Sequence, residues 1–158
     1  MAYERKPEEL TVQIRQGTIA DIDDLVPLFD GYRTFYGKQP DEDLARSFLL
    51  DRLQHLQSII FIAFFEGQAI GFTQLFPSFS SGRAARTLIL NDLYVAPEAR
   101  GKGAGKALLA AAADYGKAVG AVRLTLSTAQ DNGAAQSLYE GTGWIRETTF
   151  ISYNLPLA

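Results

Sequence analysis

Residues 11–15 alternate polar and apolar side chains, which is the period-two pattern of a half-buried strand. Thr18, Ile19, Ala20 and Asp21 then give the spacing of a capping box that opens a helix through about Phe29. A second helix is expected from Pro40 and Asp41, with Leu44, Phe48, Leu49 and Leu53 at near-helical spacing. Between the two lies an aromatic-rich connector, residues 31–37, containing Tyr32, Arg33 and Tyr36. The apolar run 59–65, the Glu66-Gly67 turn and residues 69–76 read as a hairpin, followed by an irregular loop over 77–82 and a third strand over 88–95. Ala107, Leu108, Ala111 and Ala112 mark one face of a helix over about 103–119, and residues 122–126 form a short strand after Gly120. A last helix over about 132–140 ends at Gly141, Thr142 and Gly143, and two short strands near 144–145 and 150–155 close the chain. The order β-α-α-β-β-β-α-β-α-β-β predicts an α/β (α+β) fold, a mixed sheet with helices on both faces and with Trp144 and Phe150 in its core.

A chain of 158 residues, with no compositional break or internal repeat, predicts one domain spanning 1–158. The formal net charge of -3 points away from nucleic acid, because phosphate-backbone binders carry a basic excess; a small or cationic partner fits better. Charged residues among 1–7 occupy the place of a signal peptide's apolar core, so a cytoplasmic protein is expected. The longest apolar run, 59–65, is far short of the roughly 20 residues that span a bilayer. No cysteine is present, which excludes thiol nucleophiles and thiolate metal sites, and the single histidine, His55, predicts no metal centre.

Residues 90–106 run from a strand through a basic glycine-rich loop into a helix. Glycines allow left-handed backbone and close approach, so loop amides and a helix N-terminus can converge on phosphate oxygens, with Arg100, Lys102 and Lys106 adding charge. A Walker loop requires glycine where Arg100 stands and a hydroxyl where Ala107 stands. The dinucleotide pattern starts at Gly101 and Gly103 but meets Lys106 at its third glycine position. The remaining pattern, [RQ]-x-x-G-x-[GA], is met by Arg100, Gly103 and Gly105. Here the chain resembles the GCN5-related N-acetyltransferase (GNAT) family, and the resemblance covers almost the whole chain. A second motif agrees with it: the run from Asn132 through Ala134-Ala135 and Tyr139 to Gly143-Trp144 resembles the family's later order of Asn, Ala, Tyr and Gly-aromatic.

The resemblance implies an acyl-CoA-dependent N-acetyltransferase of GNAT fold, with acetyl-CoA as co-substrate and no metal. It places the CoA pyrophosphate on Arg100, Gly101, Lys102, Gly103, Ala104, Gly105 and Lys106, and the pantetheine arm beside Leu93, Tyr94, Val95 and Asn132. Tyr139 matches the tyrosine that protonates the departing thiolate. Asp92 is the leading candidate for the base that deprotonates the amine, because an alkylammonium is charged at neutral pH. It lies in Leu90-Asn91-Asp92-Leu93-Tyr94, similar to the Leu-Glu-Asp-aromatic run of the polyamine (diamine) acetyltransferase branch, with Asn91 in place of the glutamate. Tyr32, Arg33 and Tyr36 are expected to line the acceptor site. The acceptor stays open among polyamine, aminoglycoside, amino acid, peptide and protein amines, with a small cationic amine ahead and direct attack in a ternary complex expected. A non-catalytic acyl-CoA sensor is the alternative, ATP use is disfavoured, and relatives suggest a homodimer.

Overall fold

A computed structural model describes residues 11–158, so the charged start of the chain lies outside the described residues. The chain divides into two compact units, Met1–Ser127 and Thr128–Ala158. In the first, five strands form one sheet in the order β1-β2-β3-β4-β5. They are β1 (Gln13–Gln16), β2 (Ile59–Phe65), β3 (Gln68–Ser80), β4 (Ala85–Val95) and β5 (Leu124–Thr125). The first four pair antiparallel and β4 pairs parallel with β5, giving the mixed sheet expected from the sequence.

Strand alternation sorts the side chains onto two faces. Ile60, Ile62 and Phe72 pack under helices α1 (Ile22–Phe35) and α2 (Glu42–Gln54), whose Leu25, Val26, Phe29 and Leu49 share that core. Ala63 turns to the opposite face by alternation, and Ile70 does so because it is the extra residue of a bulge between Ala69 and Gly71; both pack against Leu108 of α3 (Ala104–Ala118). Burial of these apolar residues is the main stabilising term, at about 25 cal/mol for each Å² removed from water. The Thr18 capping box forms as expected, and Arg15 clamps its acid, donating to Asp21 Oδ2 at 2.9 Å and Oδ1 at 2.6 Å. Asp41 caps α2 by accepting from Leu44 N at 2.9 Å.

Three expectations are corrected. Residues 31–35 are not a connector but the last turn of α1, because packing of Tyr32 on Phe29 and Phe72 outweighs the weak helix propensity of Gly31. Residues 77–80 are not a loop but the end of β3, where Phe79 pairs with Arg86 and Ser80 with Ala85. Pro77 is tolerated there because the ladder with β2 already stops at Leu75 opposite Ile59, so no amide is needed on that side. The second unit holds one helix, α4 (Gly133–Gly141), and no strand among its residues. The two closing strands expected near 144–145 and 150–155 are not formed, and Phe150 is exposed rather than core.

Candidate active site

The site begins at an irregularity in β4. Gln74 stands opposite Asp92 and Leu75 opposite Leu90, so Asn91 is an extra residue bulged out of the ladder. The parallel pairing with β5 covers only Leu88 and Ile89. Beyond the bulge, Ala96 N donates to Ile70 O at 2.8 Å, which fixes the phase of the antiparallel ladder. Tyr94 therefore turns its main-chain groups to β3, while Leu93 and Val95 turn theirs to the other edge, past the end of the β5 ladder. Arg100 Nε donates to Val95 O at 3.2 Å across that edge.

The bulge also aims Asp92. Its side chain is 2% exposed. Gln74 Nε2 donates to Oδ2 at 2.5 Å and Asn91 Nδ2 to Oδ1 at 2.7 Å. Tyr32 reaches the same carboxyl from α1, and its single hydroxyl proton is shared between that carboxyl and Asn91 O, 3.3 Å away. Thr73 Oγ1 donates to Asp92 O at 2.8 Å. Burial pushes the Asp92 carboxyl up from its ordinary range, against the opposing pull of the Asn91, Gln74 and Tyr32 hydrogen bonds. A carboxylate in that condition is a stronger proton acceptor than a solvated one.

The last turn of α1 walls this region with rings. Tyr32 and Tyr36 lie with centroids 4.9 Å apart, and Phe35 meets Tyr36 edge-on at 5.3 Å. Phe35 and Tyr36 are exposed. Arg33 is engaged by a neighbour: its Nη1 donates to the buried Asp30 at 2.6 Å, and Asp30 accepts from Asp41 N, tying the end of α1 to the start of α2.

The glycine loop has the properties its composition predicts. Gly101 and Gly103 sit at φ of 83° and 82°, left-handed values that favour glycine, and a Cβ on either would meet nothing within 4 Å. Gly103 is the N-cap of α3 and no side chain caps the helix, so the amides of Ala104, Gly105 and Lys106 keep the donors that a helix start leaves unused. Arg100, Lys102 and Lys106 are exposed around them, with Arg100 placed over the Phe35 ring and Lys102 over Phe65. Open amides, a positive helix end and three cations suit a pyrophosphate, and the unpaired β4 edge suits an extended amide-containing arm.

Asn132 and Tyr139 belong to the second unit. Asn132 Oδ1 accepts from Ala135 N at 3.2 Å and so caps α4. Tyr139 is half-buried, with its ring 6.0 Å from that of Trp144. Among the described residues, no group of His, Asp and Glu side chains could hold a metal ion, and no helix is long and apolar enough to cross a membrane. Gln74 was not anticipated from the sequence. Its one signal is a long polar side chain, next to Thr73, inside the largely apolar stretch from Ile70 to Phe76.

Together these features define an acyl-CoA-dependent transferase. The acetyltransferase (GNAT) family profile matches residues 23–144, and the chain belongs to that family. It is similar to the uncharacterized N-acetyltransferase YhfO of Bacillus subtilis (strain 168), 48% identical over 144 residues, covering 91% of this chain and 97% of that protein. Its structure superposes on the crystal structure of a probable acetyltransferase with a TM-score of 0.88 and 41% identity, covering 92% of this chain and 98% of the other. The fold is shared with the aminoglycoside N-acetyltransferase AAC(6')-Iy, solved in complex with CoA, at a TM-score of 0.79 and 22% identity over 96% of this chain and 99% of that one. The enzyme is thus an acyl-CoA-dependent N-acetyltransferase.

Proposed function

We propose that this enzyme acetylates a primary amine on a small cationic molecule, with Asp92 as the general base and Tyr139 as the general acid. The observation that carries this reading is Asp92 itself. It is a buried carboxyl held at a β-bulge on the strand whose open edge suits the CoA arm, and it is met by Tyr32, whose ring lies against that of the exposed Tyr36. Rings of this kind attract a cation by their negative faces.

In this reading the loop from Arg100 to Lys106 holds the pyrophosphate, and the main-chain groups of Leu93 and Val95 hold the pantetheine arm with help from Asn132. Bound acetyl-CoA supplies the acyl group as a thioester. A main-chain N–H on the β4 edge polarises the thioester carbonyl. Asp92 takes one proton from the ammonium nitrogen, which frees its lone pair to attack in the ternary complex. Tyr139 Oη delivers a proton to the departing sulfur. Arg33 contributes indirectly, by fixing the helix end that presents Tyr32 and Tyr36.

The test is calorimetric titration with acetyl-CoA, followed by thiol release against a panel of polyamines, aminoglycosides, amino acids and peptides. The expected result is magnesium-independent acetyl-CoA binding, with release fastest on a small polycationic amine and lost in Asp92→Asn. Binding without release on any amine would favour a sensor. Release that survives Asp92→Asn would remove the base from the proposal.

A further inference from the structure

Asp92 is nearly sealed from water, and a base so placed must be served by partners in both of its protonation states. Gln74 is fully buried beside it, directly opposite in the β3–β4 ladder. Its Nε2 donates to Asp92 Oδ2, and its other amide atom, Oε1, is a buried acceptor with no hydrogen-bond partner. A buried carbonyl oxygen left unpaired costs about 1–3 kcal/mol, so its retention next to the reacting carboxyl calls for a donor that arrives only in part of the cycle. Asp92 supplies that donor when it is protonated on Oδ2.

We propose that Gln74 is the positioning residue of the proton-accepting carboxyl: its Nε2 donates to ionised Asp92, and after a half-turn of the amide its Oε1 accepts from Asp92 once protonated. This inference rests on the base role proposed for Asp92 and explains how a sealed carboxyl can cycle. The proton balance is simple. An R–NH3+ acceptor and the carboxylate become R–NH2 and a neutral carboxyl, and the Gln74 amide exchanges the places of its Nε2 and Oε1 while Asp92 stays where it is. The other groups facing Asp92 are Tyr32 from α1, Thr73 from β3 and Asn91 from β4; of these, Tyr32 is the titratable one. The bond to the ionised form is charge-assisted and roughly twice as strong as the neutral one, so Gln74 holds the Asp92 titration down on balance.

The test compares wild type with Gln74→Met, a variant of similar size that neither donates nor accepts, and with Gln74→Glu, in which two carboxyls share one proton. The Asp92 carboxyl titration is followed by carbon NMR on aspartate-labelled protein, assigned with Asp92→Asn. The pH profile of thiol release is followed with spermidine as the probe amine, or the fastest amine of the panel. In Gln74→Met both the carboxyl titration and the acid limb of the rate profile should move up by about one pH unit, with acetyl-CoA affinity unchanged. Gln74→Glu should move them further in the same direction. An unmoved carboxyl titration in a folded variant overturns the role of Gln74 and leaves the base assignment standing. A carboxyl that moves while the acid limb stays fixed overturns both, because Asp92 is then not the group whose ionisation the rate reports.

Discussion

Gly31 on α1 and Tyr94 on β4 lie so close that a Cβ on Gly31 would come 2.7 Å from the Tyr94 hydroxyl oxygen and 3.0 Å from the ring carbon that bears it. Alanine is otherwise the better helix former, by about 1 kcal/mol in a helix interior. The contact should outweigh that gain, because a half-buried ring wedged against α1 must swing aside as a rigid unit. Gly31→Ala is therefore expected to lower stability by about 1 kcal/mol, and Tyr94→Phe, which removes the nearest atom, should recover much of the loss. A double-mutant cycle by thermal melting checks this, with a coupling of at least about 0.5 kcal/mol expected between the two positions.

Arg33 sits in the same helical turn but works through a different contact. Asp30 is 7% exposed and accepts from both Arg33 and the Asp41 amide. Removing one partner of a mostly buried pair leaves the other charge uncompensated, which costs about 3 kcal/mol where burial is complete and less where the arginine is partly wet. Arg33→Met should lose about 2 kcal/mol in a denaturant melt. The KM for the acceptor, measured well below the melting temperature, should change less than twofold; a tenfold rise would return Arg33 to direct contact with the acceptor.

These two turns also show how far the sequence can be read. The β-α-α-β-β-β-α-β-α order, the mixed sheet, the Thr18 cap and the glycine loop follow from period, caps and spacing, which are local signals. The helical state of residues 31–35 rests on Tyr32 packing against Phe72, 40 positions away in the chain, and no local window contains it. The extension of β3 through Pro77 depends on β2 ending at Ile59, again a partner's property. Asp92 was legible as a candidate from its place in the strand. Its burial, its Gln74 partner and the bulge at Asn91 were not, because register between strands is written in neither strand alone.

Gly103 combines a left-handed φ of 82° with open space around its Cα. Substitution there meets no atom, so the cost is backbone strain alone, about 1–2 kcal/mol for a residue carrying a Cβ. In Gly103→Ala that strain is relieved by shifting the loop amides off their positions, and acetyl-CoA affinity should fall about tenfold by calorimetry while the melting temperature drops only a few degrees. Unchanged affinity would mean that these amides do not hold the pyrophosphate.

Tyr139→Phe removes one hydroxyl and keeps the ring that lies 6.0 Å from that of Trp144. If Tyr139 Oη delivers the proton to the departing sulfur, the interaction is made in the transition state and not in the bound ground state. Turnover should then fall about 100-fold, the low end of general-acid effects, with acetyl-CoA affinity within about twofold of wild type. Equal losses in both would assign the hydroxyl to binding.

Asp92 exposes a conflict between activity and stability whose sign can be worked out. Burial raises its folded-state pKa above the ordinary carboxylate value, so the folded protein holds the proton more tightly than the unfolded chain does. Its contribution to stability is therefore fully present below the unfolded value, near pH 4, and is lost as pH rises through the raised folded value. At neutral pH the ionised group is a net burden, kept for its reactivity. Asp92→Asn removes the charge, and its amide can donate to the otherwise unpaired Gln74 Oε1 once the Gln74 amide has made its half-turn. The variant should melt about 2–4 °C above wild type at pH 7.5, the shift for about 1 kcal/mol in a chain of this size, and the gap should narrow as pH is lowered toward 4. Thiol release should fall at least 100-fold in the same protein. A variant that is both less stable and fully active would show that Asp92 is a structural anchor of the bulge and that another group takes the proton.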